Sequence, residues 1–520
     1  MKEEGAAAHL ADIRNTMPDS NPTQSSPIPG FGLLLALLCL LAAGKVILGD
    51  TLDPDCFWHL RVGGELAGGF WPHPLIDDLS FASIRQPWTP YSWLAEIGMK
   101  LLWDAGGFRA AIAVQTVMES AFIFFLAAAA LELSNKVTGQ PRYMASAVGA
   151  AMGGILSLAY LSFRPVTAAL TILAFIAFLL LRDRRFDRRS RLVWLVPPLT
   201  AILINIHFFA IFAPLWTAAL LAGDILERSP GIRRGIILFA ATSLCCCMTP
   251  LLAGTIRAVL DYSAHDPMVQ AGAVAEFRPF YLGVMGNISA LFVMILIACV
   301  IYRLARPPRF PLGETIWLAG STILLFRMGR MAPIFAIIAV PAFAAVIPNL
   351  SDRILTRRPI VAALAVVLAL SAMPILRAFP RGDQSLSAWL NRNGPDAPNY
   401  PCKAADFVDT NISGPTRHLL CDFTWGGFLE WRLGPRYQTL MDGRTQLFTP
   451  QFWRSAALGS ADQRRNFLAA IPADAAVVRA QKSPLGDALT ALNWKVVYRD
   501  EFAEVLVPPP PISQAVSKTE

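Results

Sequence analysis

Apolar residues gather in this chain into eleven runs, near residues 28–48, 109–131, 144–161, 166–181, 192–206, 209–225, 235–252, 287–302, 312–326, 331–348 and 359–376. A helix needs about 20 mostly apolar residues to cross a bilayer core. The pattern therefore predicts an α-helical polytopic membrane protein with about eleven transmembrane helices over residues 28–378. Pro197-Pro198 and Pro214 fall inside runs and predict kinks there. Beyond the last run the pattern changes to short segments. Helices are expected near 383–393, 402–411, 451–471 and 484–492, and strands near 417–422, 437–441, 475–479 and 494–507. That is a small α/β domain at 379–507. The Ser/Pro/Asn-rich head, 1–27, and the tail 508–520, which opens with four prolines, are expected to be disordered.

Charge orients the spans. With the N-terminus in the cytosol, five basic clusters land on one side: Lys136 and Arg142; the run Arg182–Arg191; Arg228, Arg233 and Arg234; Arg303, Arg306 and Arg309; and Arg353, Arg357 and Arg358. This is what the positive-inside rule requires. An odd number of spans then places the C-terminal domain on the outer, periplasmic side of a bacterial inner membrane. Two long outer segments remain, 49–108 and 253–282. The first carries five tryptophans, suited to amphipathic helices at the membrane interface, with one such helix expected near 91–102.

Composition agrees. Hydrophobic residues make up 54% of the chain and charged ones only 16%, against about 25% in soluble domains. The formal charge of +8 comes from the loop clusters, so it marks topology and not nucleic-acid binding. The first apolar run follows a polar head and is long enough to remain as an anchor. Among eight cysteines, Cys402 and Cys421 fall in the C-terminal domain, where a disulfide and two free thiols are equally open.

Candidate chemistry collects on the outer side. Asp53-Pro54-Asp55 followed by Trp58-His59 brings carboxylates and an imidazole to the end of the first span. A helix cap accounts for part of this, with Asp53 as N-cap and Pro54 in the first turn. Asp55 and His59 lie one turn apart and share a face. Capping and catalysis are evenly balanced on spacing alone. Arg164, Arg278, Arg327 and Arg330 run against the charge bias, at outer span ends. Snorkelling or pairing with Glu276 explains one or two; a phosphate would explain several together. His207, in Asn205-Ile-His207, is by itself more often a structural hydrogen-bonder. Trp425-Gly-Gly and Asp442-Gly-Arg444 read first as turns.

Asp53-Pro-Asp55 with Trp58-His59-Leu, the loop residues Pro72, Asp77, Ser80, Trp88 and Trp93-Leu-Ala-Glu96, and the later Arg164-Pro165, Asn205-Ile-His207, Glu276-Phe277, Arg327–Pro333 and Trp425-Gly-Gly with Asp442-Gly-Arg444 resemble a group of bacterial multi-pass proteins similar in architecture to GT-C glycosyltransferases. Cys56-Phe57, Phe208-Phe209 and Phe277 depart from that pattern. The resemblance implies an inverting glycosyltransferase taking a sugar from a polyprenyl-phosphate donor in the membrane lipid to a glycan, lipid or protein acceptor. It implies Asp53, Asp55 and His59 at the catalytic centre, with one carboxylate as general base. Arg164, His207, Glu276, Arg278, Arg327 and Arg330 would hold substrate, and Mg²⁺ or Mn²⁺ would sit on Asp53 and Asp55 if the enzyme uses a metal. A flippase of lipid-linked glycans, with Glu119 and Glu314 as its few intramembrane carboxylates, and a non-catalytic envelope scaffold are the rival readings.

Overall fold

The computed structural model describes residues 28–510 except 50–51, 70–71, 84, 86, 265–266, 272–276, 281–287, 306, 308, 349, 380–381, 383, 391–399 and 415–416. The expected disordered head, residues 511–520 of the tail and Glu276 lie outside the described residues.

Each apolar run is helical over most of its length. The helices are α1 (Pro29–Leu48), α2 (Asp55–Gly68), α3 (Trp93–Thr138), α4 (Tyr143–Leu158), α5 (Pro165–Arg185), α6 (Val196–Leu203), α7 (Phe212–Leu226), α8 (Ile232–Cys245), α9 (Ile288–Ala305), α10 (Leu312–Arg327), α11 (Ala332–Val346) and α12 (Arg358–Ala378). Among the described residues, six helical segments are long and apolar enough to cross a membrane: α1, α3, α5, α12, and α7 and α11 with the short turns that precede them. Helix α2 belongs to the first long loop.

Helix α11 is the axis of the bundle, with all of its residues buried. Its many alanines let α3 and α4 approach closely, the usual way helices associate where lipid is as apolar as the core. Helix α12 is the opposite case. It packs on α1 and turns the rest of its surface outward, Leu376 being 75% exposed. A 3₁₀ turn at Arg191–Leu195 leads into α6, whose first turn takes Pro197 and Pro198 where their missing N–H groups are not needed.

In the 49–108 segment, α2 is followed by a hairpin of β1 (Leu75–Ile76) and β2 (Pro87–Trp88). The helix expected at 91–102 does not stop. It continues as α3 through a kink at Gly107, φ 57°, ψ −147°, into the apolar run at 109–131. Trp58 and Trp88 are buried around the Arg444 guanidinium, and Trp103 meets Trp431 edge-on at 5.4 Å. They pack the loop onto the C-terminal domain.

That domain is a five-stranded mixed sheet of β3 (His418–Cys421), β4 (Gln438–Thr439), β5 (Ala475–Arg479), β6 (Lys495–Arg499) and β7 (Ala503–Val507), in the order β4-β3-β5-β7-β6. The β4-β3-β5 part is parallel and the β5-β7-β6 part antiparallel. The expected strand at 494–507 is a hairpin. The first long loop extends the sheet beyond β4: Phe81 N–H donates to Thr439 O, and Thr439 N–H to Leu79 O, both at 3.0 Å. An otherwise open sheet edge is thereby covered, and loop and domain are joined. Cys402 and Cys421 are buried free thiols.

Candidate active site

Helix α2 starts at Asp55, with Pro54 ahead of it. Asp53 accepts the Asp55 N–H through Oδ1 at 3.0 Å, so it makes the capping bond the sequence suggests, although the helix is bounded one residue later. Its other oxygen, Oδ2, lies 3.6 Å from Arg164 Nε, and Arg164 Nη1 donates to Asp55 Oδ2 at 3.0 Å. Capping and a charged site therefore coexist in one carboxylate. Arg164 precedes α5 on a tightly fastened loop. Its Nε donates to Ser162 Oγ at 2.9 Å, and Lys45 Nζ donates to Leu161 O at 2.6 Å.

One turn into α2, His59 Nδ1 lies 2.9 Å from Glu96 Oε1, and both side chains are buried. Burial, then the nearby Arg164, His207 and Arg444, hold His59 well below the ordinary imidazole range. His207 is depressed by burial, Arg330 and Arg164, and its Nδ1 accepts the Phe209 N–H at 3.2 Å. Tyr91, pushed up to about 12 chiefly by burial, stays a neutral hydroxyl. Arg330 stacks on Phe277 at 4.5 Å and Phe209 at 5.9 Å.

The C-terminal domain closes the site through Asp442-Gly443-Arg444. A Cβ on Gly443 would stand 2.0 Å from Asp55 Oδ1, so any larger residue there must displace the Asp55 carboxylate. Arg444 anchors the turn: Nη1 reaches Asp77 at 2.8 Å and Nε donates to Asp442 at 2.8 Å, all three side chains being buried. Ser80 Oγ donates to Glu430 at 3.1 Å in the same network. Burial and Asp442 raise Glu430 well above the carboxylate range.

Asp55, His59, Tyr91, Arg164, His207, Arg330 and Arg444 line one cavity. Beside it lies a larger, mostly apolar pocket of about 740 Å³ between the two halves of α3 and the start of α5, lined among others by Gly98, Met99, Leu102 and Met118. Arg164 and Pro165 line both.

Neither a protein-family model nor a curated protein matches the sequence. Solved structures do resemble the fold. The archaeal oligosaccharyltransferase AglB from Archaeoglobus fulgidus, solved with an inhibitory peptide and a dolichol-phosphate, superimposes over 86% of this chain and 69% of its own, with a TM-score of 0.52 at 11% identity. ArnT from Cupriavidus metallidurans, bound to undecaprenyl phosphate, does so over 92% and 98%, with a TM-score of 0.50 at 14% identity. Both are GT-C superfamily glycosyltransferases. The fold is of the GT-C type. With its apolar helices, this makes the chain a membrane protein.

Within this GT-C fold, the site residues expected from sequence separate into groups. Asp55, His59, Arg164, His207 and Arg330 line one cavity, and Asp53 stands beside it on Arg164. Arg278 and Arg327 are exposed and not part of the lining; Arg278 O instead accepts the Gly329 N–H at 2.8 Å, next to Arg330. Sequence reasoning gave no role to Arg444 or to the His59 partner Glu96, although both stand in motifs it singled out, and it passed over Tyr91. The wide separation of 442–444 from α2 hides the role of Arg444; an acidic residue following a tryptophan at a helix start was a usable signal for Glu96.

The described donor set does not suit Mg²⁺ or Mn²⁺. Asp53 and Asp55 share a guanidinium, whose charge would repel a second cation, and no group of three potential ligand side chains occurs among the described residues. Glu119 and Glu314, the carboxylates a transporter would use, are held in ion pairs with Lys45 and Arg184.

Proposed function

We propose that the protein is a membrane glycosyltransferase that moves a sugar from a polyprenyl-phosphate donor to a glycan, lipid or protein acceptor. One observation carries this reading: the charged cavity and the apolar pocket meet at Arg164. A phosphate joined to a long hydrocarbon chain needs that pairing of surfaces, with Arg164 and Arg330 on the phosphate and the chain beside Gly98, Met99 and Met118. Inversion follows if the acceptor hydroxyl attacks the anomeric carbon opposite the leaving phosphate, its proton passing to the Asp55–His59 side of the cavity. The five basic clusters favour eleven spans with the cavity and C-terminal domain on the periplasmic side of a bacterial inner membrane.

The amphiphile reading is tested by filling the pocket. A Cβ at Gly98 meets open space, so Gly98→Phe is expected to fold normally. It should abolish binding of long-chain polyprenyl phosphate while sparing a short-chain analogue. Equal binding of the long-chain lipid by this variant and the parent would remove the pocket from the function. Reporters fused between Arg185 and Arg189 and after Gly382 are expected to be active in the cytosol and the periplasm respectively; a cytosolic signal from the second would reverse the orientation.

A further inference from the structure

The reaction needs a base for the acceptor's proton, and Asp55 is badly placed to be one. Its carboxylate is ion-paired with Arg164 at 3.0 Å, and Gly443 is pressed against its other oxygen. An arginine in contact stabilises the carboxylate and weakens it as a base. His59 is differently held. Its ring lines the cavity, its Nδ1 is fixed by Glu96 at 2.9 Å, and both residues are more than nine-tenths buried.

The backbone is shaped for that contact. Gly63, one turn after His59, lets α2 lie so close to α3 that a Cβ there would stand 2.1 Å from Glu96 O. Around the pair, Glu96 Oε2, Ser92 Oγ and the indole N–H of Trp58 are buried without a hydrogen-bond partner among the described residues. Buried polar atoms are rarely left so, and three together around one imidazole mark a place where substrate groups or water complete the bonding.

We propose that His59 and Glu96 work as one acid–base pair, with His59 Nε2 accepting the acceptor's proton while Glu96 holds Nδ1–H. This rests on the glycosyltransferase reading given above. As the acceptor oxygen bonds to the anomeric carbon, the bond from that carbon to the phosphate oxygen breaks. The electron pair leaves with polyprenyl phosphate, and the hydroxyl proton moves to Nε2. Glu96 then faces an imidazolium, which it stabilises, and the proton returns to water.

Glu96 lies ahead of the Gly107 kink, outside the apolar run of α3. Burial raises it to about 8, while His59 is depressed. The two titrate as a unit: below about 8 the pair carries one proton more and Nε2 is blocked, and above it Nε2 is open. The charged or titratable groups facing the pair are Asp55, Tyr91, Arg164, His207, Arg330 and Arg444. Tyr91, pushed up to about 12, and His207, depressed by burial, keep one form through this range, so the change belongs to the pair.

Glu96→Gln keeps the shape and removes the carboxylate. With the full-length protein, kcat should fall about 10²- to 10⁴-fold, the range for loss of a general base, with polyprenyl-phosphate binding unchanged. The parent's rate should rise with pH through about 8. Independently of turnover, ¹⁵N-histidine spectra should show His59 changing to the Nδ1–H tautomer between pH 6 and 9 in the parent, and not in Glu96→Gln. The chain has six histidines, so His59→Gln assigns the signal. A parental kcat in Glu96→Gln, or an Nε2–H tautomer in the parent at pH 9, overturns the pair. If the parent transfers no sugar, the glycosyltransferase reading fails, and the spectra still decide whether the pair exists.

Discussion

Helix α5 has an arginine cluster at each end, and the two are built differently. Near its C-terminus Arg184 donates to Glu314 at 3.0 and 3.2 Å and also reaches Asp224, which Arg188 binds as well. Arg182 and Arg185 both hold Glu132. The Arg184, Glu314 and Asp224 side chains are only 0–7% exposed. Twenty residues away, about 30 Å along a helix, Arg164 meets Asp53 and Asp55, whose side chains are 25% and 30% exposed. Depressed histidines, and polar atoms buried without a hydrogen-bond partner among the described residues, surround that end. The first cluster ties α5 to α7, α10 and α3. The second is arranged to receive something. Charge in an apolar chain has two uses, and the exposure of the paired carboxylates tells these two ends apart.

The largest effect should come from breaking the satisfied cluster. Arg184→Ala leaves Glu314 and Asp224 as uncompensated buried charges, which typically costs about 3–5 kcal/mol. The yield of folded protein should collapse. Arg164→Ala should keep its yield and melting temperature and lose activity instead. If both variants melt alike, the contrast between the ends is wrong.

A smaller effect is expected at Arg330. Losing a charge-assisted hydrogen bond to phosphate costs about 1.5–3 kcal/mol, so Arg330→Ala should weaken polyprenyl-phosphate binding roughly 10- to 200-fold. Arg330→Lys should recover part of that, keeping the charge while losing the planar stack on Phe277. Unchanged lipid affinity in both variants would make Arg330 structural.

Gly443→Ala places a methyl against Asp55. Overpacking of this kind costs about 1–3 kcal/mol and should loosen the C-terminal domain from α2. Limited proteolysis between Arg377 and Cys402 would report it; parental protection would mean that the turn yields without cost.

Asp53→Asn should do least. Asparagine caps a helix about as well as aspartate, so stability should stay within about 1 kcal/mol, and any activity change measures only the link to Arg164. A fall in melting temperature beyond that range would show that the ion pair, and not the cap, holds α2 in place.

Much of this architecture was legible because it rests on periodicity. Eleven apolar runs became helices, and segments near 402–411, 475–479 and 484–492 took their expected forms. Asp55, His59, Arg164, His207 and Arg330 could be chosen because a carboxylate, imidazole or guanidinium stands out beside apolar runs. Long-range partnership was not legible. Arg444 sits in a segment that reads as a simple turn, yet it reaches Asp77, more than 360 residues earlier. The bond between His59 and Glu96 crosses two helices whose approach depends on Gly63, which no local pattern announces. The joining of residues 79–81 to β4 was equally hidden, since three residues carry too little alternation to signal a strand.

The central claim is sugar transfer at the cavity where α2, the Arg164 loop and the C-terminal domain meet. Its most direct test presents purified protein in vesicles with a panel of labelled polyprenyl-phosphate sugars and glycan, lipid and peptide acceptors. The account predicts that at least one pairing gives labelled product with the parent, and that His59→Gln lowers the rate about 10²- to 10⁴-fold at unchanged donor binding. Failure of every donor, or parental turnover by His59→Gln, would contradict it.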